Sequence, residues 1–259
     1  MQTPVIVINL ERSADRRAQA DAAYRAIGIN PVFHKATDGR AADLTQHPAY
    51  GRAARVAAYG EDMRSTEIAC FLSHVSALKH CLEAGYERAV IAEDDVHPTE
   101  NFAPALAALE RAPASFEFVR LIGTRPRRSL PVAPLTSEVE IVWPTHGMAG
   151  AQGYFVTRPA MEKIVRAGDT IVLPFDMMLD RYWRLGLTIF ALKPFVVRDA
   201  EAASDIGVRP DAWTHRPRPW LRAKLRARKI GERVARSIAN MDRRARLPRW
   251  RAELMESAS

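Results

Sequence analysis

Cysteine is scarce in this 259-residue chain: only Cys70 and Cys81 occur. Both fall in one stretch of helical periodicity, and their spacing puts them about 16 Å apart along a helix axis, too far to bridge. No apolar run approaches the ~20 residues that span a bilayer. The opening residues lack a basic leader, and the short run Val5 to Leu10 reads as a buried strand instead of a signal peptide. There is no internal repeat, no low-complexity segment outside the basic C-terminal region, and no recognised nucleic-acid motif. These absences argue against a disulfide-stapled scaffold, a membrane-spanning helix and a solenoid. They fit a reducing, cytoplasmic setting.

What is present is ordinary for a globular protein: 47% apolar and 26% charged residues, enough for a sizeable core without staples. The net charge of +8 is unevenly placed. Residues 216–251 hold 14 Lys or Arg against Glu232 and Asp242 alone, so the rest of the chain is mildly acidic.

Strand and helix signals alternate, which predicts an α/β sheet. Val5 to Leu10 is a strand; Ser13 caps a helix that Gly28 ends. Pro31 to His34 forms a second strand, closed by the turn pair Asp38-Gly39. Residues 40–64 read as a long loop with one short helix. Ser65 or Thr66 caps a stronger helix running to Gly85, with Ile68, Phe71, Leu72, Val75, Leu78 and Leu82 on its apolar face. Ala89 to Ala92 is a short buried strand. Phe102 to Arg111 is a helix, Phe118 to Ile122 and Val139 to Val142 are strands, and the Pro- and Arg-rich residues 124–137 between them are a loop. Tyr154 to Val156 is a strand. Pro159 starts a helix that stops at Gly168. Asp176 sits early in one helix ending before Gly186, and Leu187 to Leu192 is the last clear strand.

Glu93, Asp94 and Asp95 follow directly on the Ala89 to Ala92 strand, at the end where ligands collect in open α/β sheets. Alternation along the strand aims Asp94 one way and Glu93 and Asp95 the other. Three adjacent carboxylates repel, and a hard divalent cation would offset that while bridging the phosphates of a nucleotide. An acidic, solvated turn is the simpler reading of such a triplet.

Four segments, in order, resemble glycosyltransferase family 25, the lipopolysaccharide and lipooligosaccharide galactosyltransferase group. Val7-Ile8-Asn9-Leu10 with Arg12 and Arg16 is similar to its opening I-N-L-x-R element. Glu67 to His74 is similar to its E-I-G-C-x-x-S-H helix, and Val90 to Val96 to its I-L-E-D-D strand. Gly153 to Val156 with Pro159-Ala160, then Pro174-Phe175-Asp176, is similar to its late Y-L-I-S and P-x-D elements. Ala69 and Ala92 replace the glycine and leucine usual there, and residues 40–64 and 124–137 match nothing in the family pattern. The resemblance implies a GT-A type fold with a Rossmann-like, mostly parallel sheet over residues 1–206. It also implies inverting transfer from a UDP-sugar, most often UDP-galactose, with Mn²⁺ (or Mg²⁺) as the metal. The acceptor would be a glycan, lipid-linked as in lipopolysaccharide, or a protein hydroxyl as in the distant collagen-modifying relatives.

On that basis Asp95, with Asp94 or Glu93, is the expected metal site, acting on the diphosphate leaving group. Asn9, Arg12 and Arg16, where the first strand enters its helix, suit an anionic nucleotide; the two arginines would otherwise be a solvated helix face. Asp38 either binds donor ribose or base, or is a plain turn residue. Ser73 and His74 lie mid-helix, with His74 at the edge of the apolar face and either contacting phosphate, orienting the acidic run, or simply hydrogen-bonded at the core boundary. Asp176 is the expected general base, with Asp180 one turn on as the alternative and a dipole-stabilised helix-start acid as the rival reading. Tyr154 and Gln152 would line the acceptor site.

Residues 207–259 are expected to form a basic amphipathic helical tail. Leu221, Leu225, Ile230, Val234, Ile238 and Met241 make one imperfect apolar stripe, with Trp213, Trp220 and Trp250 as interfacial anchors. Such a helix suits the anionic inner face of the cytoplasmic membrane; the rival reading docks it on the domain with a solvated charged face. Nucleic acid is a weaker expectation. An inactive transferase-like body, with the tail as the binding part, is the alternative from another functional class.

Overall fold

A computed structural model describes residues 3–123, 129–200 and 219–258. Its elements in chain order are β1 (Val5–Asn9), α1 (Ala14–Ala26), β2 (Val32–Lys35), a 3₁₀ turn (Leu44–Gln46), α2 (Arg52–Tyr59) and α3 (Ser65–Glu83). Then follow β3 (Arg88–Glu93), β4 (Val96–Pro98), α4 (Phe102–Arg111), β5 (Phe118–Arg120), β6 (Ser129–Pro134), β7 (Glu140–Pro144) and β8 (Gly153–Thr157). The chain continues through α5 (Arg158–Ala167), α6 (Phe175–Leu179), α7 (Tyr182–Leu185), β9 (Ile189–Lys193), β10 (Val197–Asp199) and α8 (Pro219–Ala258).

Eight strands form one sheet in the order β2-β1-β3-β8-β5-β9-β7-β6. The pairings of β1 with β2 and β3, and of β5 with β9, are parallel. Only β8 and β7 run against the common direction. The sheet is thus mixed but mostly parallel, as expected of the α/β class. Strand parity sorts the core into two layers. Val5, Val7, Val90 and Ala92 face α1 and α4 with Tyr24 and Phe102. Ile6, Ile8, Ala89 and Ile91 face α3 with Ile68, Phe71 and Leu78. Because side chains alternate, this parity continues into the residues just beyond the strands.

Several elements differ from expectation. Residues 129–134 form an edge strand, not a loop: β6 pairs only with β7, and an edge is where Pro131 and Pro134 are tolerated. Residues 124–128 of that expected loop lie outside the described residues. The single helix expected from Asp176 is split into α6 and α7, and Asp180 at the break is drawn into bonds with Arg120 and the 148–149 backbone. The strand β10, absent from the sequence reading, pairs antiparallel with β4. The N-cap of α3 is Arg64, whose backbone N–H donates to Glu67. Ser65 is already helical, and its hydroxyl accepts from Leu44 N–H instead. Both cysteines are free.

The expected boundary near residue 206, together with Trp213 and residues 216–218, lies outside the described residues. The helix α8 is docked along the body. Lys224 donates to the Ala57 carbonyl, Glu232 pairs with Arg181 at 2.9 Å, and Arg243 donates to the Leu187 carbonyl. Trp250, expected as an interfacial anchor, is instead buried against Trp143 and Phe190. No helix among the described residues is long and apolar enough to cross a membrane.

Candidate functional site

The chain leaves β1 to one side through α1 into β2, and β3 is added on the other side of β1. Strand order therefore reverses between β1 and β3, and an open sheet gapes at the carboxyl ends of such a pair. A cavity lies there. Leu10, Arg12 and Arg16 line it after β1, residues 36–40 after β2, and Glu93, Asp94 and Asp95 after β3. Thr66, Ala69, Cys70, Ser73 and His74 of α3 complete the wall.

Parity decides where the acidic run points. Glu93 continues the Ala89, Ile91 series and turns toward α3, where His74 Nε2 lies 3.3 Å from its Oε1. Asp94 continues the Val90, Ala92 series and turns toward α1. There it accepts from Asn9 Nδ2 at 2.6 Å and lies 3.5 Å from Arg16 Nε. Asn9 shares that parity with Val5 and Val7, so its inward side chain meets Asp94 across the parallel pair. The alternation expected of Glu93 and Asp94 is thus observed. Asp95 begins the turn to β4, with its carbonyl accepting from Ala200 N–H at 2.7 Å.

Asp95 is the electrostatic centre of the site. Its Oδ1 is buried without a hydrogen-bond partner. Burial, reinforced by Glu93 and Asp94 and opposed by Arg16, pushes its carboxyl up to about 7. An orphaned buried oxygen beside two further carboxylates fits a divalent cation bound through oxygen. Asp94 is already held by Asn9 and Arg16, so Glu93 and Asp95 are the carboxylates open to that role. A second donor set adjoins them: Cys70, His74 and Glu93 offer ligand atoms all within 4.8 Å of one another.

On the opposite wall, Arg12 Nε donates to Asp38 at 2.7 Å, and the backbone N–H of Arg40 donates to the same carboxylate at 2.9 Å. These contacts hold Asp38 below the usual carboxylate range. The intervening Gly39 lies so close to α3 that a β-carbon would meet the Ser65 carbonyl oxygen at 2.5 Å. Ser73 fastens the same loop from α3: its hydroxyl accepts from Thr37 N–H at 2.8 Å and donates to the Ala69 carbonyl at 2.7 Å.

His74 is buried. It stacks on Phe175 at 4.4 Å between centroids, and its Nδ1 lies 3.2 Å from the Tyr154 hydroxyl. This geometry fits a histidine that orients the acidic run and equally one that is simply hydrogen-bonded at the core boundary. Tyr154, expected to line the acceptor site, is core: β8 is covered on both faces, and the ring packs on Phe118. Gln152 supplies its carbonyl to Glu93 N–H at 2.8 Å.

Asp176 opens α6 beside Phe175, and its charge, after those of burial and Glu93, helps raise the Cys70 thiol well above its ordinary value. It also accepts from Gly150 N–H at 3.3 Å. Asp180 is fully engaged, accepting from buried Arg120 at 2.9 Å and from Met148 and Ala149 N–H at 3.2 Å each. It is an anchor for the 147–150 loop and a poor alternative base. The structure thus gathers Arg12, Arg16, Asp38, Ser73, His74 and Glu93–Asp95 around one cavity. Asn9 braces Asp94 from behind it, and Asp176, the expected general base, is not part of its lining and accepts from the Gly150 N–H instead. Cys70, Thr66 and Arg40 were missed. The first two share the inward face of α3 with Ser73 and His74 at helical spacing, a signal the sequence already carried.

The sequence profile of glycosyltransferase family 25 (LPS biosynthesis protein) matches residues 2–179. The chain belongs to this family. It is 26% identical over 184 residues to procollagen galactosyltransferase 2 of Mus musculus, and 27% identical over 190 residues to that of Homo sapiens. Each alignment covers 68% of this chain and 28% of the relative, so the chain spans little more than a quarter of the length of those curated relatives. Among solved structures it is similar to A197 from STIV (TM-score 0.42, 15% identity, 74% of this chain and 81% of that one). It is also similar to a Drosophila β-1,4-galactosyltransferase 7 mutant in complex with manganese, UDP-Gal and xylobiose (TM-score 0.41, 10% identity, 86% and 79%).

Proposed function

We propose that this family 25 chain is a metal-dependent, inverting glycosyltransferase. In this reading it moves a hexose, galactose, from a UDP-sugar to a lipid-linked glycan such as lipopolysaccharide or lipooligosaccharide, at the cytoplasmic face of a membrane. One observation carries the reading: an acidic run with an orphaned Asp95 oxygen shares one cavity at the β1/β3 switch point with Arg16, which lies beside Asp94, and with Arg12, which is paired with Asp38. Family membership and the galactosyltransferase relatives support it.

Glu93 and Asp95 would hold Mn²⁺ (or Mg²⁺), which when bound stabilises the charge developing on the departing diphosphate. Arg12 and Arg16 attract and orient the nucleotide, since planar guanidinium groups match phosphate oxygens. Asp38, fixed by Arg12 and the Arg40 N–H, presents an acceptor to ribose or base. His74 keeps Glu93 turned into the cavity. Asp176 takes the proton of the acceptor hydroxyl as the acceptor oxygen bonds the anomeric carbon. The bond from that carbon to the diphosphate breaks, and UDP leaves with the electron pair.

The test is release of UDP from UDP-galactose with a glycan acceptor, measured with Mn²⁺ and in chelator. Asp176→Asn should lose ~10²-fold or more in kcat, the usual scale of a general base, with the fold unchanged by circular dichroism. Full turnover in chelator, or an unimpaired Asp176→Asn, would contradict the assignment.

A further inference from the structure

Between Arg228 and Arg243 the helix α8 is amphipathic in the reverse of the usual sense for a docked helix, although nearer its end Trp250 and Leu254 are buried in the core. Toward the domain it presents Arg228, Glu232 and Arg243, which bond Tyr59, Arg181 and the Leu187 carbonyl. Away from it point Ile230, Val234, Ile238 and Met241, with Met241 74% and Ile238 63% exposed. At 100° per residue these four fall within an arc of about 80°. Trp220, 60% exposed, continues the same side toward the helix start. Leu221 and Leu225 belong to the other face and are partly buried, so the single stripe expected from the sequence is two faces with different partners. A docked helix ordinarily buries its apolar side; here that side is left to the outside over several turns.

The border of this stripe is cationic. Arg226, Lys229, Arg233 and Arg244 are exposed and flank one edge within about 60° of each other, with no acid among them. An apolar stripe edged by arginine and lysine, with tryptophan at one end, matches the boundary between acyl chains and anionic headgroups. A second copy of the chain would satisfy the apolar side but would bring two strongly basic helices together. An anionic surface neutralises the same charge.

We propose that the outward face of α8 rests on an anionic lipid surface, the helix lying in the interface plane while its polar side stays docked on the domain. This deepens the membrane location given under the proposed function. It rests on the helix and not on the transfer chemistry, so the two can fail separately.

The experiment is co-sedimentation of the full chain with phosphatidylcholine vesicles, with and without phosphatidylglycerol, following Trp220 fluorescence in parallel. The variants are Ile238→Glu/Met241→Glu on the stripe and Arg226→Glu/Arg233→Glu on its edge. All four positions are exposed, so unchanged melting and unchanged UDP release on a soluble acceptor are expected. Binding should require the anionic lipid and fall about tenfold or more in each variant. Equal binding of wild type and variants, or no binding to either vesicle, overturns the proposal. So does light scattering showing a dimer that the stripe variant dissolves without any vesicle binding, which would assign the face to a second copy.

Discussion

Asn9 Nδ2 donates to Asp94 Oδ2 at 2.6 Å, joining residues 85 positions apart across the parallel β1–β3 pair. The bond fixes the middle carboxylate of the acidic run against α1. Asn9→Ala removes the donor and takes one hydrogen bond from a buried carboxylate that lies beside Arg16, Glu93 and Asp95. The expected loss is ~1–3 kcal/mol in urea denaturation, the cost of unpairing a buried polar group. Mn²⁺ affinity should fall with it, because Asp94 is then held less firmly beside Glu93 and Asp95. An unchanged stability would show that the bond does not hold the run.

His74 tests whether orientation of Glu93 matters for turnover. His74→Phe keeps the stack on Phe175 but loses the contacts to Glu93 and to the Tyr154 hydroxyl. Turnover should fall more than donor KM rises, and the apparent Mn²⁺ requirement should increase. His74→Gln, which can still reach hydrogen-bonding partners, should recover part of the loss. Equal kinetics in His74→Phe would reduce the residue to core packing.

Asp95 makes stability depend on pH. Its carboxyl sits at about 7 in the folded chain, against ~3.9 in an unfolded one. Between those values the native state retains a proton that the unfolded state has released, so stability falls as pH rises through the window. In chelator, the melting temperature should drop between about pH 4 and about pH 7, less steeply in Asp95→Asn. Mn²⁺ added at the alkaline end should restore it. A rise over the same range, or an equal slope in the variant, would contradict the placement of Asp95.

Gly147 faces Asp180 so closely that a β-carbon would meet its Oδ2 at 2.2 Å and its Cγ at 2.5 Å. Gly147→Ala must push Asp180 off Arg120 and off the Met148 and Ala149 N–H groups. A destabilisation of ~1–3 kcal/mol is expected from overpacking, with loss of activity if the 147–150 loop keeps Asp176 in place. Denaturant titration and UDP release read the two effects separately.

Much of the fold was legible in the sequence because period and end signals agreed. The helix α4 has the bounds its periodicity marked, Ser13 and Gly28 bracket α1, and Gly168 stops α5. What was not legible depends on distant partners. The prolines of β6 read as a loop until its edge position is known, and the break between α6 and α7 follows from Asp180 bonding a loop some 30 residues upstream. For the site, Arg12, Arg16, Ser73, His74 and Glu93–Asp95 of the motifs line one cavity, whereas Asn9, Tyr154 and Asp176 are not in its lining. Asn9 as a brace and Tyr154 as core could not be seen without the pairing of β1, β3 and β8. Once that pairing is known, parity alone separates Glu93 from Asp94. The direction in which α8 turns its apolar stripe was likewise beyond sequence, since periodicity gives a face but not its partner.

On this reading a metal and a nucleotide-sugar bind together at the Glu93–Asp95 cavity. Thermal shift with UDP-galactose, with Mn²⁺ and in chelator, tests it most directly, because a ligand that binds only the native state raises its apparent stability. The account predicts a rise in melting temperature with sugar nucleotide and metal together that is greater than with either alone, and that Asp95→Ala abolishes. The same rise in chelator or in Asp95→Ala, or none with any nucleotide-sugar at saturating concentration, would contradict it.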